Sequence, residues 1–421
     1  MNPALDRHGT RAAVIAVALL PLILIAARPV AHGVIAAIAI GFLVRCVLLR
    51  DFSPTRQAWF LAALGYWAWL VLATVLAGAS TEHVLAALAW IRLPLAILAL
   101  GTWVLAAPAA RRWLMQGTGL ALLFVVMEVW LQLLFGRGIT GPKRWHGAEL
   151  TGPFDRPRAG SFTVMSMWAP LFATAADWLA RPESWRRMAA WALVAFALVT
   201  LVFIGQRIAL VYGVFGLMLG ALVLPAMRRP AMAAVAAGAL ALAAASIVAP
   251  GAFHRLVVQF SRQLLTFPET HYGQILARAL EMARQNPLFG LGESSFAVNC
   301  RNVAYHVGWT PGSDGGGAAM CTTHAHNHYL QALTDAGIPG MVLFTAMIGL
   351  LLATQARGLL RAPTPLRVGL FIATLLPMWP IASSGNFASL PNAGLWMLMA
   401  GWGLAEQRAA EQRAAERDRS A

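Results

Sequence analysis

Apolar segments of about twenty residues recur along the whole chain, and they constrain the fold more than any other feature. Of the 421 residues, 59% are hydrophobic and 12% are charged, roughly half the charged share of a typical soluble domain. A membrane-spanning helix needs roughly 20 apolar residues, whereas a barrel strand needs about ten residues of alternating polarity. The second pattern does not occur, so the sequence predicts an all-α polytopic membrane protein.

About twelve transmembrane helices are predicted from these segments. They lie near 12–27, 30–49, 58–79, 84–106, 113–135, 161–179, 188–205, 207–226, 231–249, 327–354, 367–383 and 391–405. The chain then divides into helices 1–5 (1–135), an outer loop (136–160), helices 6–9 (161–249), a large helical subdomain (250–326), helices 10–12 (327–405) and a charged tail (406–421). Long connections between spans are more often functional than decorative, so both outer segments are candidate sites.

The formal net charge of +15 is explained by membrane topology rather than by nucleic-acid binding, because the arginines stand singly or in pairs between apolar segments. With the N-terminus inside, the cytoplasmic segments hold 19 arginines, against 12 arginine and lysine residues on the other face. Ten of those 12 lie in the two long loops, and short loops determine orientation. We therefore expect a multi-pass protein with both termini in the cytoplasm and no nucleic-acid partner.

Two of the three cysteines fall in the large outer segment. An oxidising compartment permits a disulfide between Cys300 and Cys321, and two free thiols are the alternative. Cys46 falls on the cytoplasmic side, where a cysteine is typically an inert apolar filler.

A cluster of histidines, "THAHNHYLQ" at 323–331, directly precedes a predicted span. His324 and His328 are four residues apart, a spacing that zinc sites use, but no acidic residue accompanies them and the chain contains no Asp-x-Asp. We therefore expect no metal and no other cofactor. Any one of these histidines can instead be a helix cap or an interface residue. His326 stands out because Asn327 follows it directly.

Four arginines predicted around the outer mouth of the bundle are candidate ligands for an anion: Arg156 and Arg158 in "GPFDRPRAGSF", Arg207 in "FIGQRIAL", and Arg278 in "ILARALEMARQ". Few carboxylates are available in the outer loops to neutralise them. The planar guanidinium binds phosphate oxygens bidentately, and at a membrane the phosphate belongs to a lipid. The sequence thus predicts a lipid phosphate or diphosphate site near His326.

Structural alternatives exist for several of these arginines. Arg207 can snorkel to lipid headgroups, and Arg278 can pair with Glu281 one turn later. Arg92 lies inside a predicted span and is expected to pair with Glu128 or Asp177, because an isolated charge there costs roughly 2.5–3.5 kcal/mol.

Three motifs resemble those of the bacterial O-antigen ligases and the related O-antigen polymerases and O-oligosaccharyltransferases. They are Arg207 between two central spans, an arginine-bearing helix followed by Asn-Pro-Leu-Phe-Gly-Leu-Gly at 286–292, and His326-Asn327 followed by Gly337 and Gly340. The resemblance extends over roughly 150–400 and implies a fold similar to the GT-C-type membrane glycosyltransferases. Gln206 departs from the pattern, which has a small residue before the arginine.

The resemblance implies transfer of O-antigen polysaccharide from undecaprenyl diphosphate to lipid A-core oligosaccharide, at the periplasmic face of the bacterial inner membrane. In this reading His326 is the general base or a diphosphate contact, while Arg207 and Arg278 bind the diphosphate. Arg156 and Arg158 assist, and the remaining expected substrate contacts are Asn327, His324 and His328. Gly337, Gly340, Cys300 and Cys321 are expected to be structural. A single attack predicts inversion, and the arginines replace a metal as the source of positive charge.

Three rival functions remain open. A polymerase or a protein O-oligosaccharyltransferase of the same superfamily differs in its acceptor, which one sequence does not reveal. A transporter or flippase for a lipid-linked anion also uses arginines, but places functional residues near the bilayer midplane. Membrane lipids are expected partners in every case.

Overall fold

A computed structural model describes residues 3–140, 144–145, 147–306, 321–381 and 385–420. Within these ranges the chain is helical and holds no strand, only an isolated bridge between Trp145 and Glu149. The first eleven helices are α1 Pro3–Ala26, α2 Arg28–Leu49, α3 Ala58–Leu76, α4 Thr81–Ala89, α5 Arg92–Ala99, α6 Pro108–Phe135, α7 Ala159–Ser166, α8 Trp168–Leu179, α9 Ser184–Ile204, α10 Arg207–Val223 and α11 Arg228–Val248. The others are α12 Pro250–Phe253, α13 Phe260–Leu265, α14 His271–Gln285, α15 Ser295–Asn299, α16 His328–Ala356, α17 Pro365–Leu375 and α18 Asn392–Ser420.

Eight helical segments of the described chain are long and apolar enough to cross a membrane: Arg7–Ala26, Arg28–Leu49, Ala58–Leu76, Thr81–Val104, Pro108–Phe135, Ser184–Ile204, Pro225–Val248 and His328–Ala356. Two shorter apolar helices, Arg207–Val223 and Pro365–Met378, stand beside them. The two remaining predicted spans fall on the interrupted pair α7–α8 and on the first half of α18. The prediction of an all-α polytopic membrane protein is confirmed.

The helices run between two ends of the bundle, which we call outer and inner. The outer end carries the connection between α6 and α7 and the segment between α11 and α16. The inner end carries the connections between α8 and α9 and between α10 and α11. At the inner end Arg111 of α6 pairs with Glu406 of α18, with a distance of 2.9 Å between Nε and Oε1. α18 therefore continues through the predicted boundary at 405 and carries the charged tail as helix.

The outer segment between α11 and α16 has a small core of its own. Ile275, Ala279 and Met282 of α14 pack against Phe296 and Ala325. Cys300 and Cys321 form a disulfide with their Cα atoms 5.5 Å apart. The disulfide closes the segment beside the predicted histidine cluster, and the glycine-rich run that precedes Cys321 lies outside the described residues.

A break in α16 attaches this outer segment to the bundle. At Gly337 the backbone adopts φ 67° and ψ −168°, a conformation that glycine adopts without steric cost. The break frees the carbonyl groups of Thr334 and Asp335, which accept hydrogen bonds of 2.8 and 2.9 Å from the amides of Leu291 and Gly292. The glycine-containing loop 286–292 is thereby hydrogen-bonded to α16. Two of the three motifs named in the sequence analysis, this loop and the segment from His326 to Gly340, therefore meet in one joint.

Side chains reinforce this joint. The Asp335 carboxylate accepts hydrogen bonds from the amide and hydroxyl of Ser295 at 3.0 and 2.7 Å. The Trp69 indole donates to the Ala336 carbonyl at 2.8 Å. A side chain at Gly340 would collide with Ala336. Asp335, Gly337 and Gly340 thus all lie in this joint.

The prediction that Arg92 pairs with Glu128 or Asp177 was wrong. Its guanidinium donates to the carbonyl of Ala89 at 2.6 Å, within its own helical segment. Glu128 instead accepts from the backbone amides of Ile139 and Thr140, and Asp177 pairs with Arg181 at 3.2 Å. A local carbonyl therefore takes the place of the expected carboxylate.

Candidate active site

A cavity of about 400 Å³ opens at the outer end of the bundle, beside the first turns of α7, α10, α16 and α18. Its walls include most of the charged and titratable residues that the sequence singles out: Arg156, Arg158, His324, His326 and His328. We call it the histidine cavity. The positive ends of four helix dipoles adjoin it, and such ends favour an anionic ligand.

His326 is held in an unusual backbone conformation at the mouth of this cavity. Its φ is 54°, in the left-handed region that residues other than glycine, asparagine and aspartate rarely adopt. The ring centroid of His326 lies 4.3 Å from that of His324 and 5.4 Å from that of Tyr272. Such backbone outliers persist only where the surroundings hold them, and they concentrate at functional sites.

The surroundings of His326 keep its imidazole neutral. Burial, and then the proximity of His324 and His271, lowers the pKa of His326 to about 3. The ring centroid of His271 lies 6.3 Å away. At neutral pH the ring therefore keeps a nitrogen lone pair that can accept a proton or a hydrogen bond.

Asn327 and His328 fix the start of α16. The Asn327 side chain accepts hydrogen bonds from the amides of Tyr329 and Leu330, both at 3.0 Å, and its amide donates to the Pro380 carbonyl at 2.7 Å. It is a helix cap that joins α16 to the opposite wall. His328 is buried with its ring edge-on to Phe387, and no described residue hydrogen-bonds its Nδ1.

Arg156 and Arg158 approach the cavity from the start of α7. Arg156 is exposed and Arg158 is half-buried at the cap position of that helix. Burial, together with the charges of Arg28 and Arg156, lowers the pKa of Arg158. Its Nη1 is buried and donates no hydrogen bond to the described part of the chain. A half-buried guanidinium that its neighbours repel, with one buried nitrogen that lacks an acceptor, is suited to an anionic ligand.

Arg207 begins α10, next to the lining residues Ile208 and Ala209. It lies within electrostatic range of Tyr272, the residue whose ring packs on His326, and of Glu149 and Arg255. Glu149 is engaged by Arg255, at 3.1 Å between Oε1 and Nη2. One carboxylate thus faces two arginines, and the region keeps a net positive charge.

The departure at Gln206 has a packing explanation. Gln206 is 6% exposed, and its side chain lies against Gly160, where any Cβ would collide with it. Gln206 caps the start of α10 without a side-chain hydrogen bond. A larger residue before Arg207 is accommodated because its neighbour in α7 is glycine.

Arg278 does not line the histidine cavity, contrary to its expected place there. It is 2% exposed, and its Nη1 donates to the Cys300 carbonyl at 2.7 Å while contacting Cys321 Sγ at 3.3 Å. Glu281, the alternative partner, binds Arg284 at 2.6 Å. Arg278 therefore lies against the disulfide that precedes the histidines in the chain.

Three residues around the site were missed by sequence reasoning. His271 and Tyr272 begin α14 and contact His326 across more than fifty residues of sequence. Phe387 packs on His328 and Trp396. The only local signal was Thr270, whose side chain caps α14 by accepting from Gly273 at 3.2 Å and so places His271 and Tyr272 in the first turn.

No described residues form a group of three or more histidine, cysteine or acidic side chains arranged to hold a metal ion. The His324 side chain is engaged by the Thr323 hydroxyl at 3.0 Å, and His326 and His328 lie on either side of the helix cap. The positive charge of the site comes from guanidinium groups.

Comparison with known proteins gives a match to a protein family. Residues 192–345 fit a family model described as O-antigen ligase. The match includes Arg207, Arg278 and the segment from His326 to Gly340, and it ends before the cavity wall at 377–396. No curated protein matches the chain.

Proposed function

We propose, from the match of residues 192–345 to the O-antigen ligase family and from the chemistry of the histidine cavity, that this chain is an inverting glycosyltransferase of lipopolysaccharide biosynthesis. It transfers O-antigen polysaccharide from undecaprenyl diphosphate to lipid A-core oligosaccharide. The observation that carries the proposal is the convergence of His326, Arg156 and Arg158 on one cavity.

The diphosphate of the donor suits the positive side of this cavity. Arg156 and Arg158 offer planar donors for its oxygens, and the first turns of α7 and α10 add the positive ends of helix dipoles. Arg207 extends the positive field towards Tyr272. The polyprenyl chain then remains among the apolar helices.

His326 acts as the proton acceptor for the attacking hydroxyl. In the reaction the acceptor oxygen bonds to the anomeric carbon, its proton passes to the imidazole, and the bond from that carbon to the diphosphate oxygen breaks. Undecaprenyl diphosphate leaves with the electron pair. One displacement inverts the anomeric carbon.

The low pKa of His326 is compatible with this role only when the donor is bound. An imidazole with a pKa of about 3 is a weak base, and general-base catalysis is most efficient when the pKa lies near the working pH. A bound diphosphate adds negative charge close to the ring and raises the pKa. Donor binding therefore makes His326 basic enough to receive the proton.

Asn327 and Arg278 are positioning residues in this mechanism. Asn327 holds His326 by capping α16 and binding the Pro380 carbonyl. Arg278 holds Cys300 and Cys321, the two ends of the disulfide. His324 contacts the His326 ring and His328 lines the same cavity, so we expect both to bind sugar hydroxyls.

The arginines stabilise the charge that develops on the leaving diphosphate, so we expect transfer to proceed without a metal. Activity that disappears with chelator and returns with a divalent cation would contradict this part of the proposal.

The outer end is proposed to face the periplasm, with both termini in the cytoplasm and the protein in the bacterial inner membrane. The disulfide between Cys300 and Cys321 supports this orientation, because disulfides persist in oxidising compartments. A cysteine-labelling map of the loops from each side of the membrane tests it.

The acceptor distinguishes the ligase from its relatives. Purified protein is supplied with a defined lipid-linked polysaccharide and with either lipid A-core oligosaccharide or a second lipid-linked repeat unit. Product on lipid A-core supports the ligase, whereas chain extension of the lipid-linked unit identifies a polymerase. Product on a peptide acceptor identifies an O-oligosaccharyltransferase, and donor translocation without transfer identifies a flippase.

A further inference from the structure

A second cavity, of about 870 Å³, opens at the inner end of the bundle. It lies between the start of α9 and the connection from α10 to α11, and we call it the inner cavity. α9 has 21 residues, a length of roughly 30 Å, and it separates this cavity from Arg207 at the outer end. The glycosyl transfer described above uses no residue of the inner cavity.

Three arginines line the inner cavity: Arg187, Arg228 and Arg229. The two carboxylates of the adjoining α8–α9 region are engaged elsewhere, since Asp177 binds Arg181 at 3.2 Å and Glu183 binds Arg186 at 3.5 Å. Neither neutralises the cavity arginines, which therefore present an uncompensated positive charge.

Few of the donors of these arginines are satisfied by the protein. Arg228 Nε donates to the Ala221 carbonyl at 3.3 Å. The side chains of Arg187 and Arg229 make no hydrogen bond or ion pair with any residue that the structure describes. Their guanidinium N–H groups remain available to donate hydrogen bonds to the oxygens of an anion.

An apolar wall adjoins the arginines. Met188 and Trp191 line the same cavity, and Trp191 stands one helical turn further into the bundle than Arg187. Met188 is 66% exposed and Trp191 is 39% exposed. Tryptophan is enriched at the level of lipid headgroups, so the cavity is cationic towards the inner end and apolar towards the membrane interior.

We propose that the inner cavity binds an anionic glycerophospholipid. Its phosphodiester lies among Arg187, Arg228 and Arg229, and its glycerol and upper acyl chains lie along Met188 and Trp191. Basic pockets between transmembrane helices bind the headgroups of anionic lipids in this way. A free phosphate shares the headgroup chemistry but makes no use of the apolar wall.

Lipid binding to the purified full-length protein in detergent, measured by native mass spectrometry, tests the proposal. The protein is titrated with phosphatidylglycerol and, separately, with zwitterionic phosphatidylcholine. The triple variant Arg187→Gln, Arg228→Gln, Arg229→Gln is compared with a matched triple variant, Arg112→Gln, Arg361→Gln, Arg408→Gln. The second set removes three exposed arginines that do not line the inner cavity.

The wild type and the matched variant are expected to bind phosphatidylglycerol about tenfold more tightly than phosphatidylcholine, a preference of roughly 1.4 kcal/mol. The cavity variant is expected to lose this preference. Equal binding by the cavity variant and the wild type overturns the proposal, and so does equal loss in the two triple variants. Displacement of the lipid by millimolar inorganic phosphate identifies a free-anion site and overturns the lipid assignment.

Loss of charge at the inner end can also disturb membrane insertion. The variant Arg187→Lys, Arg228→Lys, Arg229→Lys keeps the charge but removes the planar fork. It is expected to insert normally and to bind phosphatidylglycerol several-fold more weakly than the wild type. Unchanged affinity in this folded protein contradicts the bidentate site, even if the glutamine variant fails to fold.

Discussion

The two ends of the bundle each carry an arginine-lined cavity, but only the outer one also contains histidines. The inner cavity has arginines, Trp191 and Met188, whereas the histidine cavity combines arginines with three imidazoles and four helix starts. Guanidinium groups bind phosphate but stay protonated at any working pH. The inner cavity is thus equipped to bind, while the outer one is equipped to bind and to accept a proton.

The largest expected effect is the loss of that proton acceptor. His326→Asn retains a residue that tolerates a positive φ and removes the imidazole, so kcat is expected to fall by about 10²–10⁴-fold. Single-turnover transfer with the purified protein measures it. His83→Asn is the matched control, because His83 is an outer-end histidine hydrogen-bonded to Ser80 and absent from the cavity wall. Full activity in His326→Asn would remove the chemical difference between the two cavities.

The next effect concerns binding at the outer cavity. Arg158→Gln removes charge-assisted hydrogen bonds worth about 1.5–3 kcal/mol, so KM for the lipid-linked donor is expected to rise by roughly 10–100-fold. Arg158→Lys should recover part of the affinity through its charge. The exposed Arg301, which lies outside the cavity wall, provides the control Arg301→Gln. A donor KM that responds equally at both positions would show that Arg158 acts only through bulk charge.

The third prediction tests whether Arg278 stabilises the fold or binds the donor. Because it is buried against the disulfide, Arg278→Lys is expected to lower the free energy of unfolding by about 2 kcal/mol and kcat by several-fold. The donor KM should stay close to that of the wild type. Thermal unfolding and steady-state kinetics measure the two effects, with Arg284→Lys on the same helix as the control. A large rise in donor KM without a change in stability would restore the diphosphate clamp that the sequence predicted.

The smallest effect is on acid stability. The folded-state pKa of His326, about 3, lies below the ordinary value of roughly 6.5. Between these values the unfolded chain binds more protons than the folded one, so the free energy of unfolding falls as pH falls. Tm is expected to drop less in His326→Asn than in the wild type between about pH 7.5 and 5. Parallel curves for the two proteins would contradict the low pKa of His326 in the folded protein.

The sequence predicted the membrane helices and the histidine cluster better than the residues that pack around the cluster. Apolar segments determine membrane helices locally, and His326 with Asn327 precedes α16 directly in the chain, so both followed from short-range pattern. The burial of Arg278 and the contact of Tyr272 with His326 depend on how α14 packs, which no local pattern carries. The prediction of an acidic partner for Arg92 was wrong for a related reason, because a backbone carbonyl one turn away takes the place of the expected carboxylate.

The structure of the His326→Asn variant with the lipid-linked donor bound would test the central claim most directly. The positions of the diphosphate and of the anomeric carbon in that structure are the quantities to measure. We predict the diphosphate against Arg156 and Arg158 and the anomeric carbon beside residue 326, with space for an acceptor hydroxyl within about 3.5 Å of that carbon. A diphosphate bound at Arg278, at the inner cavity, or out of reach of residue 326 would contradict the account.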